Sequence, residues 1–118
     1  MKKLRVAFVN DAAEREYKTL SEGIQDEFGK DFKRIQFGEN TVLPIASLNN
    51  IGPGIVEFKK NGSPAFRSVL VTKYEDTIFV LHSFTKTTNH TDRKAMNTAK
   101  GRHKELLEEL KKPGIIRH

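Results

Sequence analysis

Positive charge is the chemistry this sequence offers. Arg67 can fork onto two phosphate oxygens, while Lys59 and Lys86 are compact charges whose pKa falls when cations crowd together, making either a candidate base. Other routes close early. Cysteine is absent, which removes thiolate nucleophiles, thiolate metal sites and disulfides. No HExxH motif or carboxylate cluster is present, so neither a metal nor a cofactor is expected. Ser83, Thr85, Thr87 and Thr88 have no histidine and acid arranged around them. His82 and His103 read as packed structural residues, and His118 sits in the tail. His90 is the candidate among the histidines, because it lies near Lys86 and Arg93 in sequence. Metal-free transfer at an RNA phosphodiester needs a base for the 2′-hydroxyl, positive charge for the phosphate oxygens and an acid for the leaving oxygen. A basic cleft over RNA would meet the second need.

The charge balance agrees. Lysine and arginine number 21 against 15 acids, a net +6 in a chain of 118 residues. A surplus of that size points to a polyanion, most often nucleic acid, with a merely basic soluble protein as the plainer alternative. With 36% hydrophobic and 31% charged residues, residues 1–118 are expected to form a single domain around one core. The first ten residues carry an apolar run too short for a signal peptide and broken by Arg5. No stretch nears the roughly 20 apolar residues of a membrane span, so cytoplasmic residence is the default expectation.

The elements that must position the cations follow from periodicity. Three runs of period two, at 55–60, 66–73 and 77–84, are separated by turns at Asn61-Gly62 and Glu75-Asp76, which predicts a three-stranded antiparallel meander. Parity sorts their side chains. Glu57, Lys59, Arg67, Val69 and Val71 are odd, whereas His82, Phe84 and Lys86 are even, and register across the turns decides whether the two sets meet. Upstream, Leu4 to Val9 reads as a strand that joins the meander, and Asn10-Asp11 offers a helix cap. Ala13, Tyr17, Leu20 and Ile24 form one apolar stripe, Ser21-Glu22-Gly23 breaks the helix, and Ile24, Phe28, Phe32 and Ile35 form a second. These predict a helical hairpin against the sheet. Residues 38–54 read as a connection, and Gly52-Pro53-Gly54 lacks the lysine-serine pair and following helix of a phosphate loop. Thr91 or Asp92 caps a last helix to about Leu110, with lysines in its final turn and Met96, Ala99, His103, Leu106, Leu107 and Leu110 inside. Arg93, Asn97, Lys100 and Lys104 make a basic stripe beside that apolar face, either a solvated surface or an RNA contact. Lys60 and Lys73, at strand ends, are further candidate RNA contacts with Arg93, Lys100 and Lys104.

The runs IGPGIVEFK, AFRSVLV and IFVLHSFTKTT, in this order of elements, resemble the phage-derived HigB-like toxins of the RelE/ParE toxin superfamily. The likeness spans about Val6 to Leu110 and is most specific over Gly52 to Thr88. It implies an α+β microbial RNase fold with an N-terminal strand and helical hairpin, an antiparallel β-meander and a C-terminal helix. It also implies a toxin of a type II toxin-antitoxin system: a metal-independent endoribonuclease, or mRNA interferase, that inhibits translation. Such a hydrolase cleaves mRNA in the ribosomal A site, leaves a 2′,3′-cyclic phosphate and is silenced by a helix-turn-helix antitoxin. By the same likeness Lys59 is a candidate base, Arg67 binds the scissile phosphate and Lys86 assists it or the leaving group. Two departures stand out: Tyr17 and Tyr74 do not match the stacking tyrosine of some relatives, and Glu57 stands where certain relatives have lysine. The alternatives are a non-enzymatic DNA gyrase inhibitor, as in the ParE branch, and a basic RNA-binding module.

Overall fold

A computed structural model describes residues 4–72, 74, 76–87 and 90–111. Lys73, one of the expected RNA contacts, lies outside these, as does Glu75 of the second turn. The described chain runs β1 (Arg5–Phe8), α1 (Asp11–Thr19), α2 (Glu22–Gln36), β2 (Ile45–Ser47), β3 (Ile55–Lys60), β4 (Ala65–Val71), β5 (Thr77–Lys86) and α3 (Arg93–Leu110). All five strands form one sheet in the order β1-β5-β4-β3-β2. The meander is present as expected, and β1 joins it parallel to β5.

Local chemistry sets the helix ends. Asn10 accepts from the Ala13 amide and starts α1, Ser21 accepts from the Ile24 amide and starts α2, and Asp92 does the same for α3 through the Ala95 amide. The last turn of α3 differs from expectation: it carries no basic residue, and Lys111 falls on the cap.

The apolar stripes go to opposite sides of the sheet. Leu20, Phe28 and Phe32 of the hairpin region pack on Phe58, Leu70, Ile78 and Val80, with Phe32 and Phe58 ring centroids 5.6 Å apart. Ala99, Leu106 and Leu110 of α3 cover Ile55, Val69, Val71 and Leu81 on the other face. Burying each such side chain contributes about 1.5–3 kcal/mol, so the sheet is held from both sides by hydrophobic burial.

Two polar features organise the long connection. Asp31, fully buried in α2, accepts from the Val42 and Leu43 amides at 2.9 and 2.8 Å and pairs with Arg34. This ties the chain after α2 back onto the helix and delivers it to β2, a strand that the sequence reading placed within an irregular connection. Gly52 is required by packing: a Cβ there would lie 2.7 Å from the His103 ring of α3. His103 is buried, as its place on the apolar face implied.

Candidate functional site

The meander register settles which side chains meet. Lys59 opposes Arg67, Arg67 opposes Phe84 and Ala65 opposes Lys86. Directly opposed residues of antiparallel strands share a face. Lys59, Arg67, Phe84 and Lys86 therefore form one patch, and Glu57, two residues before Lys59, joins it. This is the α3 side of the sheet.

A bulge makes this meeting compatible with the core. Val69 opposes His82 but Leu70 opposes Val80, which leaves Leu81 without a partner of its own. Ahead of the bulge the even residues Ile78 and Val80 point into the hairpin core; beyond it the even residues His82, Phe84 and Lys86 point to the opposite face. One extra residue reverses the parity of β5.

The bulge has its own clamp. Arg102 of α3 donates to the freed Leu81 carbonyl at 3.0 Å and forks onto Glu16 of α1, with Nη1–Oε1 2.6 Å and Nη2–Oε2 2.9 Å. His82 Nδ1 lies 2.8 Å from the same Glu16 Oε1, and its ring stacks on Phe84 at 5.0 Å. Burial pushes the Glu16 pKa up, but the hydrogen bonds from Arg102 and His82 outweigh it and hold the carboxyl below its ordinary value. His82 is thus the structural histidine that its strand position implied, and its partners lie on two helices distant in sequence.

Charge at the patch is concentrated and partly dry. Arg67 is only 7% exposed and donates to the Phe66 carbonyl at 3.0 Å. Next to it the 61–65 hairpin, Arg67, Lys86 and Thr87 line an open hollow of about 760 Å³. Gly62 makes that hairpin possible with φ +153°. Glu57 is 9% exposed, and burial raises its pKa above the ordinary carboxylate value; the charges of Arg67, Lys59 and Lys86 pull it back without cancelling the rise. A carboxyl with raised basicity among three cations is equipped to carry a proton. Sequence reading left Glu57 out of the candidate set, although its odd parity beside Lys59 was the signal that could have found it.

The other candidates are placed as follows. Lys60 is on the opposite face, 3.2 Å from Glu27 of α2, so the structure separates it from Lys59 and Arg67. Alternate strand residues point to opposite sides, which takes this strand-end lysine, a candidate RNA contact, away from the patch. His90 is exposed just before α3 and is not part of the hollow's lining. Arg93, Lys100 and Lys104 are exposed on α3. Among the described residues no group of three or more His, Asp or Glu side chains is set to hold a metal ion, and no helix is long and apolar enough to cross a membrane.

Comparison with known proteins now defines the class. Residues 15–104 match the family described as Phage derived protein Gp49-like (DUF891), and the chain belongs to that family. The solved structure of a double-mutant E. coli toxin RelE in the free state superposes with TM-score 0.62 at 14% sequence identity, covering 86% of this chain and 97% of that one, and shares the fold. No curated protein matches. Family and fold together make this chain a RelE-superfamily toxin of the phage-derived type.

Proposed function

We propose that the chain is a ribosome-dependent mRNA endonuclease, the toxin of a type II toxin-antitoxin pair, acting in the cytoplasm and silenced by a helix-turn-helix antitoxin. The observation that carries this reading is the joint placement of Glu57, Lys59, Arg67 and Lys86 on one sheet face beside an open hollow. The scissile phosphate sits on Arg67, whose fork takes two non-bridging oxygens. Glu57, as carboxylate, removes the 2′-hydroxyl proton, the role that the family resemblance assigns to Lys59. The 2′-oxygen then bonds to phosphorus as the bond from phosphorus to the 5′-oxygen breaks, giving a 2′,3′-cyclic phosphate and a 5′-hydroxyl. Lys59 and Arg67 stabilise the charge that develops on the phosphate, and Lys86 delivers a proton to the leaving oxygen. No step needs a metal. Arg93, Lys100 and Lys104 give the RNA backbone a sequence-independent hold along α3.

Primer extension on mRNA after induction tests the reading. Codon-spaced new ends with unchanged DNA supercoiling are expected; supercoiling defects without new ends would instead place the chain with the gyrase inhibitors. Arg67→Ala should lower cleavage about 10²–10³-fold while the protein stays folded by circular dichroism. Retained cleavage in that variant removes Arg67 from the site.

A further inference from the structure

The large hydrophobic side chains left exposed among the described residues are Phe37 at 42%, Val42 at 73% and Ile45 at 46%. They follow one seam, because Asp31 holds the Val42 amide and the Arg34 guanidinium on the same carboxylate oxygen, and Phe37 lies within a turn of Arg34 on α2. Ile45 opposes Phe58, so its side chain is on the α2 face, away from the cationic hollow. Among the described residues the seam runs along an open edge: β2 is the last strand of the sheet.

Main-chain alternation shows what that edge presents. Lys59 donates its amide to the Pro44 carbonyl and Leu48 donates to Ile55, so the even-numbered residues here bond to β3. Ile45 and Ser47 therefore direct their N–H and C=O groups outward. Beside them Lys30, Lys33, Arg34 and Phe37 line a second hollow, whose one acid is Glu39. Unpaired strand edge, exposed apolar side chains and a cationic wall occur together.

We propose that this seam binds an extended segment of a partner protein that carries apolar and acidic residues together on one strand face, added as a sixth strand against β2 with that face toward α2. Backbone pairing with Ile45 and Ser47 supplies register, the apolar side chains cover Ile45 and Val42, and the acids meet Lys30, Lys33 and Arg34. Nucleic acid fits worse, since it has no strand to add and its phosphates would meet three exposed hydrophobic side chains. The proposal concerns the opposite face from the hollow and does not depend on RNA cleavage.

The test uses the full chain and a capped, fluorescein-labelled peptide in which valine and glutamate take turns on one strand face and threonine fills the other, followed by anisotropy. Ser47→Pro blocks an incoming strand, yet the Ser47 N–H faces away from β3, so the sheet keeps its own bonds and the melting temperature should stay unchanged. Binding should weaken about tenfold or more in Ser47→Pro and again in Lys30→Glu/Lys33→Glu, and the same peptide with lysine in place of glutamate should not bind. Equal affinity for Ser47→Pro, no binding by wild type, or a seam whose lysine changes weaken single-stranded RNA binding while leaving the peptide unaffected would each overturn the proposal.

Discussion

Glu57 shows how burial and charge decide what one carboxyl does. Because its pKa is raised in the folded chain, Glu57 favours folding below its unfolded pKa, and that contribution is lost as pH rises through the raised value. Glu57→Gln should therefore melt higher than wild type at about pH 8, and the gap should close near pH 4, where both side chains are neutral. The same variant should lose roughly 10²-fold or more in mRNA cleavage, since an amide cannot take the 2′ proton. Melting curves at the two pH values and single-turnover cleavage check both halves. If cleavage persists, the base is elsewhere. Lys59, Arg67 and Lys86 were legible in the sequence because cations in a poor field of histidines and no cysteines are conspicuous. Glu57 was not, because an isolated acid reads as solvated surface until burial is known.

Among the elements, β5 does the most to create the site. Its run of β-formers and its parity were plain from sequence, but the bulge at Val69/Leu70 was invisible, because a strand that changes parity halfway looks like ordinary imperfect alternation. The residues that satisfy the bulge come from α1 and α3, far away in the chain. β2 escaped for a different reason: three residues after Pro44 are too few to show a period. The clamp makes a definite expectation. Arg102→Ala leaves the Leu81 carbonyl without this donor and the Glu16 carboxylate with His82 but without its guanidinium, and should destabilise the fold by about 2 kcal/mol in urea titrations. It should also lower the turnover number more than it raises KM, because Phe84 and Lys86 keep their charge and bulk but lose their fixed aim. A variant equally unstable but fully active would detach the clamp from the site.

For the whole molecule half-buried Glu16 and buried Glu57 pull in opposite directions as the solution is acidified. Glu16, whose pKa is lowered, supports the fold above its unfolded pKa and withdraws that support as pH falls through the lowered value, whereas Glu57 gains as it is protonated. On acidification Glu57, whose pKa is raised, is protonated first, and the joint between α1, β5 and α3 loosens only at lower pH, where Glu16 takes up its proton. The net +6 acts at longer range. Each phosphate neutralised on a single strand changes the logarithm of affinity by about −0.7 per logarithm of salt, so a site using Lys59, Arg67 and Lys86 gives a slope of about −2. Binding of a short RNA across a salt series, with Arg67→Ala flattening the slope by roughly one contact, measures this directly. A slope near zero would mean that the patch does not hold phosphate.

Among the described strands β1 pairs with β5 alone, and β5 follows the other four in the chain. A ribosome extrudes the chain from its first residue onward, so β1 must wait without its strand partner until β5 emerges. Lys86, at the far end of that strand, arrives later still. On the nascent chain the patch of Glu57, Lys59, Arg67 and Lys86 is therefore assembled only after β5 has been made.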